Sequence, residues 1–291
     1  MAKGYNKIRK LDNVVSDDKK SYKPLFIILS FGVIFTIILL IIFKDTFKLN
    51  SIDTFDESSK ILYNKKLENI YESITINSEF ANIYLNTSND DYIEVKIYGE
   101  SAKEKVTAKD KKLDINLKLT CTVCHDVKGG KIYVTLPNSL LKNLDINSKF
   151  GSVSIAEFND TIINTTMEYG DFDAAGVKKL NLKLKSGNVK LSHAESVTSS
   201  IETGNLTVNN IYGYCDIDTG LGNVIVTYLD VNKDSKINVK TGSVNLVEAN
   251  ELYYDAKSNV GQIHLPVDNV LNKNKTKVSI TTDVGNISVG S

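Results

Sequence analysis

From residue 144 onward, apolar residues fall on alternate positions in short runs, and each run is broken by a glycine followed by a polar residue. The glycines are Gly151, Gly170, Gly187, Gly204, Gly222, Gly242, Gly261 and Gly285. After them stand Ser152, Asp171, Asn188, Asn205, Asn223, Ser243, Gln262 and Asn286. The alternation then resumes as Val153/Ile155, Phe172/Ala174, Val189/Leu191, Leu206/Val208, Val224/Val226, Val244/Leu246, Ile263/Leu265 and Ile287/Val289. A period of two is the mark of a strand with one buried face. Glycine before a small polar residue marks a turn that uses positive φ. The spacing from glycine to glycine is 19, 17, 17, 18, 20, 19 and 24 residues, a repeat of turn-plus-strand units. The pattern predicts an all-β repeat protein.

Upstream, Ile74 and Ile76 lead through Ala81-Asn82 to Ile83 and Leu85, a unit with Ala81 in the glycine position. Strand patterns also cover 92–97, 113–123 and 131–136. The repeats suggest two turn lengths. The last inward apolar residue lies three before the glycine at Leu184, Ile201 and Val239. It lies five before at Ile146, Ile217 and Ile280, with Phe150, Leu221 or Val284 added beside the glycine. Two folds fit. In a β-solenoid each unit of 17–20 residues is one coil, and coils stack about 4.8 Å apart. In an antiparallel meander each glycine turn joins paired strands. A solenoid explains why one polar class returns nine times at one point, counting Asn82, and is the fold expected. With coils in chain order, Gly285 belongs to the last one.

Ahead of the repeats, residues 25–43 hold no charge, long enough to span a bilayer core as a helix. A cleaved signal peptide has a shorter apolar core and a small-residue cleavage site; an uncleaved signal-anchor is expected here. Seven bases (Lys3, Lys7, Arg9, Lys10, Lys19, Lys20 and Lys23) precede it, so the N-terminus is expected in the cytoplasm and the rest outside. Gly32 and Thr36 form one small-xxx-small pair of the kind that packs helices. The expected organisation is a cytoplasmic tail 1–24, a transmembrane signal-anchor helix 25–43, a stalk 44–69 and an extracytoplasmic β-solenoid 70–291. Within the stalk, Asp56 to Ser59 opens a weak helical pattern carrying Ile61, Leu62 and Leu67.

Lys+Arg and Asp+Glu both total 35, so no global field recruits polyanions. The sole arginine, Arg9, lies in the tail, which leaves the folded region without the residue best suited to bidentate phosphate and guanine contacts. Nucleic acid is not an expected partner.

The repeated signature runs from an alternating strand through S/T-x-G, or an apolar residue and Gly, to N/S/D and a second strand. It is preceded by Ile132-Tyr133-Val134-Thr135-Leu136-Pro137 and echoed by Ile263-His264-Leu265-Pro266. It resembles the DUF4097 family of bacterial candidate adhesins over about residues 70–291. The resemblance implies an envelope-exposed β-helical domain, often associated with cell-envelope stress systems, and offers no catalytic residues to carry over. The function expected is a membrane-anchored, surface-exposed, non-catalytic module that binds an envelope protein or a wall or surface glycan. The alternative is an accessory subunit of an envelope stress system without a ligand of its own. A redox or glycan-active enzyme ranks behind both.

Cys121-Thr122-Val123-Cys124-His125 matches the C-x-x-C-H haem-attachment pattern. Haem would take His125 as one axial ligand, with His193, His264 or Met167 left for the other. The motif continues the alternation of Leu117, Leu119, Cys121 and Val123, whereas attachment motifs open helices. No cofactor is therefore expected, and Cys121 and Cys124 are held as a thiol or disulfide pair, with Cys215 as core filler. Asp171/Asp173 and Asp216/Asp218 each put two carboxylates on one strand face, a start toward glycan cleavage. They lie in different units with mixed neighbours, and the solvated outer face of their strands is the reading expected. The aspartates do not recur with the glycines, so a calcium-binding glycine-aspartate repeat is not expected.

Overall fold

The computed structural model describes residues 60–68, 71–120, 129–137, 141–249 and 252–290. The chain divides into the compact units Met1–Asp53 and Thr54–Ser291. The first unit, with the expected tail and anchor helix, lies outside the described residues, as do Cys121, Cys124 and His125. Among the described residues no helix is long and apolar enough to cross a membrane.

The second unit is built from strands. They are β1 (Ile61–Leu67), β2 (Ser73–Ser88), β3 (Ile93–Tyr98), β4 (Ala102–Lys109), β5 (Lys112–Leu119) and β6 (Gly130–Pro137). Next come β7 (Asn143–Phe150), β8 (Val153–Tyr169), β9 (Phe172–Ser186), β10 (Val189–Thr203), β11 (Leu206–Leu221) and β12 (Val224–Leu229). The last are β13 (Ser235–Thr241), β14 (Val244–Ala249), β15 (Tyr253–Val260), β16 (Ile263–His264), β17 (Lys277–Val284) and β18 (Ile287–Val289).

Each coil has one arm before its glycine and one after, and like arms pair in parallel from coil to coil. Val189 faces Phe172 on one side and Leu206 on the other. Parallel pairing in step excludes the antiparallel meander for this region, because hairpin turns join antiparallel neighbours. The inward positions stack in columns such as Leu180, Val197 and Cys215, or Leu191 and Val208, and all of these are buried. Burying each leucine contributes about 1.5–3 kcal/mol.

The order of the stack departs from chain order at both ends. β2 lies between the coil of β5 and β6 and the coil of β7 and β8. β17 and β18 lie between the β13–β14 coil and the β15–β16 coil. Gly285 therefore sits in the penultimate coil and Gly261 in the terminal one, contrary to the expectation that Gly285 closes the rod. Every coil presents the same kind of edge, so the repeat signature carries no information about which coil meets which.

The corners explain the glycines. All eight have positive φ, from 124° at Gly151 to 155° at Gly261. A Cβ at any one would overlap the backbone carbonyl of the corner below: Gly204 meets Gly187, Gly285 meets Gly242, and Gly261 meets Gly285. The polar residue beyond each glycine forms a continuous ladder. The side-chain oxygen of Asn82 accepts from the Ser152 N–H at 2.8 Å, and Ser152 Oγ from the Asp171 N–H at 3.2 Å. The ladder continues through Asn188, Asn205, Asn223, Ser243 and Asn286 to Gln262.

Two smaller expectations are corrected. There is one turn length, because Ser148, Thr219 and Thr282 occupy the inward position three before the glycine and are buried there. The apolar residues beside those glycines point outward, with Phe150 43%, Leu221 53% and Val284 48% exposed. Residues 61–67 are not helical. They form β1, which pairs antiparallel with β3 while Leu62 packs on the core.

The two ends are closed differently. At one, β3 and β4 run antiparallel to β6 and β5. The β4–β5 turn holds Asp110 and Lys111 at φ 49° and 60°, the positive values a two-residue hairpin needs. Lys103, Lys105 and Lys109 on β4 discourage edge-to-edge pairing. At the other end the Asn269 amide caps the edge strand, its Oδ1 accepting the Tyr254 N–H at 2.8 Å and its Nδ2 donating to the Tyr254 carbonyl at 3.0 Å.

Gly204→Val and Gly285→Val are expected to destabilise the protein equally, by about 2–4 kcal/mol each, since both add φ strain and backbone overlap inside the stack. Gly261→Val should cost clearly less, because a terminal coil has one neighbour and can shift. Denaturant melts of the three variants against the parent check the ranking. A Gly285 variant as mild as the Gly261 variant would contradict the inverted order.

Candidate functional site: a polar trough across the coils

On the arms that precede the glycines, outward side chains align in columns as the inward ones do. The β10 arm presents Ser196, Thr198 and Ser200. Lys179, Asn181 and Lys183 stand opposite them on one side, and Tyr214, Asp216 and Asp218 on the other. A row of short hydroxyl side chains between two rows of longer ones makes a trough along the strand direction, with walls about 10 Å apart, two strand spacings. A hollow of about 310 Å³ lies here, lined among others by Asn181, Lys183, Thr198, Ser200, Asp216 and Asp218. A neighbouring hollow of about 660 Å³ shares Ser200 and Asp218 and extends to Lys236, Asn238 and Thr281. Gly220 lines the second hollow, leaving a gap in the row that carries Asp216 and Asp218.

Hydrogen bonds orient both walls. Thr281 Oγ1 donates to Asn238 Oδ1 at 2.5 Å, and Asn238 Nδ2 donates to Asp218 Oδ1 at 2.7 Å. On the opposite wall Asn181 Nδ2 donates to Asn164 Oδ1 at 2.7 Å, and Asn164 Nδ2 to Asp145 Oδ1 at 2.8 Å. With its amide hydrogens directed along the ladder, Asn181 keeps its oxygen for a donor. Asp216 Oδ1 is buried without a hydrogen-bond partner. Burial, and then the Asp216 charge beside it, raises the pKa of Tyr214. Lys185 pairs with Glu168 at 3.1 Å, whereas no ion pair among the described residues engages Lys179 or Lys183.

The aspartates of the trough do not face one another as a pair. Glycoside cleavage needs two carboxyl groups flanking one bond. Asp216 and Asp218 share a wall, and the residues across from them are Asn181 and Lys183. Asp171 belongs to the corner ladder, where its Oδ1 accepts the Asn188 N–H at 2.7 Å, while Asp173 lies on the exposed face of the other arm. Among the described residues no group of three His, Cys, Asp or Glu side chains is placed to hold a metal.

The remaining candidates are scattered. His193 reaches across Gly176 to Asn159 Oδ1 at 2.6 Å and Glu157 Oε1 at 3.3 Å. His264 lies on the exposed terminal coil, and Met167 is buried in the core. Cys215 is a buried free thiol whose pKa burial pushes up to about 12. Of the trough residues only Asp216 and Asp218 stand out in the sequence, as paired carboxylates, and the hydroxyl floor and the lysine wall do not. Aligning the units on their glycines would have shown the Ser-x-Thr-x-Ser row between Lys-x-Asn-x-Lys and Tyr-x-Asp-x-Asp.

The family model for Toastrack DUF4097 matches residues 71–290. The chain belongs to this family. Among solved structures, a candidate adhesin from Bacteroides fragilis is similar at 19% identity and a TM-score of 0.49, over 79% of this chain and 97% of that one. A candidate adhesin from Parabacteroides distasonis has 16% identity and a TM-score of 0.43, over 80% and 98%. A candidate lipid-binding protein from the same organism has 17% identity and a TM-score of 0.40, over 79% and 94%. No curated protein matches the chain.

Because Cys215 stays a thiol far above neutral pH, it should resist alkylation in the native protein at pH 8 and react after denaturation. Peptide-resolved mass spectrometry reads this apart from Cys121 and Cys124. The unfolded thiol ionises from about pH 8.5 while the folded one does not. This group therefore lowers stability as pH rises above that value. Rapid native labelling of Cys215 would contradict its burial.

Proposed function

We propose that this Toastrack chain is a membrane-anchored, surface-exposed, non-catalytic binding module of the bacterial cell envelope, and that it grips a wall or surface glycan in the trough. The observation that carries the reading is the hydroxyl floor of Ser196, Thr198 and Ser200 between oriented polar walls. An extended polymer rich in hydroxyls can exchange hydrogen bonds along such a floor at every repeat. The uncharged run at residues 25–43 and the bases before it support an anchor with the repeats outside. The adhesin names of similar proteins agree with a binding role.

Two measurements test it. Protease added to intact wall-free cells should remove an epitope at Ser291 and spare one at Met1; the reverse pattern would end the surface reading. The full chain in mild detergent should co-sediment with purified cell-wall sacculi. Thr198→Arg, which fills the floor at an outward position, should weaken that binding about tenfold, a change of about 1.4 kcal/mol, with an unchanged melting midpoint. Undiminished sedimentation of Thr198→Arg would move the binding site away from the trough.

A further inference from the structure

The two walls of the trough carry opposite charge. Lys179 and Lys183 stand along one side with no ion pair among the described residues, and Asp216 and Asp218 stand along the other. Adjacent strands would bring such charges together, but the Ser-Thr-Ser row holds the two walls one strand further apart. Elsewhere on the same arms charges do meet, as in Lys185 with Glu168 at 3.1 Å and Lys149 with Glu79 at 3.2 Å. Lys236 is the register neighbour of Asp216 on β13, with no ion pair between them among the described residues, while across the hydroxyl floor Lys179 and Lys183 stay apart from Asp216 and Asp218.

The anionic wall has a further property. Asp216 Oδ1 is shut off from water yet accepts no hydrogen bond from any protein group. With that oxygen closed off, a cationic donor meets Asp216 at its other oxygen, where a charge-assisted hydrogen bond is about twice as strong as a neutral one. Asp218 is fixed on one side by the Asn238 amide, which leaves its other oxygen for a ligand. On the far wall a lysine ammonium suits phosphate as a compact point charge with three donors. Its flexible four-carbon stem lets it follow an oxyanion along the trough.

We propose that the trough recognises a zwitterionic polyol chain, one that carries phosphate diesters along its backbone and primary ammonium groups on its hydroxyls. The phosphates lie against Lys179 and Lys183. The ammonium groups lie against Asp216 and Asp218, and the free polyol hydroxyls bond to Ser196, Thr198, Ser200 and Asn181 Oδ1. A purely anionic polymer would satisfy the lysines and be repelled by the aspartates. A neutral glycan would use the floor alone. This proposal rests on the trough being the binding site of the preceding section and adds the charge pattern of what fills it.

The test uses the full chain in mild detergent and a purified poly(alditol phosphate) whose hydroxyls carry aminoacyl esters, titrated by calorimetry at low salt. Mild base removes the esters, and with them the ammonium groups, leaving the phosphates. The parent should bind the esterified polymer about tenfold more tightly than the stripped one. Asp216→Asn should lose most of that preference while binding the stripped polymer at least as well, because a repulsive charge is gone. Lys183→Glu should weaken both polymers, and the binding of the parent should fall as salt rises. Equal affinity of the parent for the two polymers, or a preference unchanged in Asp216→Asn, would overturn the assignment. Binding to whole sacculi through the trough without binding to either polymer would also overturn it, and would leave the glycan-binding reading standing. Melting midpoints of both variants confirm folding. Asp218→Asn, at an exposed position, reads the same loss of preference where Asp216→Asn is destabilised.

Discussion

Backbone contact between glycine corners is the constraint from which the rest of this molecule follows. At each of the eight positive-φ glycines the α-carbon lies so close to the carbonyl of the neighbouring corner that no side chain fits between them. That contact fixes the separation of successive coils and the point at which both arms leave the turn. Once the corners coincide, the next residue in each coil lies under its counterpart, and a ladder of side-chain oxygens to backbone N–H groups forms from Asn82 to Gln262. The arms then emerge in step, so inward residues stack on inward residues and outward ones on outward ones. The core and the trough are two faces of the same alignment.

What was legible in the residues divides along this line. The glycines and the polar residues after them could be read because each answers a local demand, positive φ in one case and a short acceptor in the other. The alternation of Val189/Leu191 or Leu206/Val208 shows which face is buried for the same reason. The order of coils is set by contacts between distant segments, such as Val239 with Thr282 and Ser258 with Thr282, and no local pattern encodes it. The inward hydroxyls misled in another way. Ser148, Thr219 and Thr282 are polar yet buried, and the Ser148 and Thr219 oxygens have no partner. Reading polar as outward made one turn look like two.

The trough was hidden by a similar default. Ser196, Thr198 and Ser200 are what any solvated strand face presents, and their meaning lies in what stands beside them in the neighbouring coils. A flat sheet face offers a ligand little enclosure. A row of small residues between rows of longer ones supplies it without any change of backbone. The hydrogen-bonded chains behind the walls, Thr281–Asn238–Asp218 and Asp145–Asn164–Asn181, give those side chains fixed directions. The surface is thereby preorganised, which limits the ordering entropy lost on binding.

The interchange of coils at both ends also bears on how the rod can come apart. A repeat array stacked in chain order unravels like thread from a spool, its last coil peeling away while the others stay. Here the final segment, β17 and β18, is wedged between two coils already laid down, and at the opposite end β2 is wedged in the same manner. Neither segment can lift off without parting two sheet interfaces at once. Trimming the chain from residue 290 backward would not give a shorter rod. It would withdraw a keystone, leaving a strand-wide gap between the β13–β14 and β15–β16 coils.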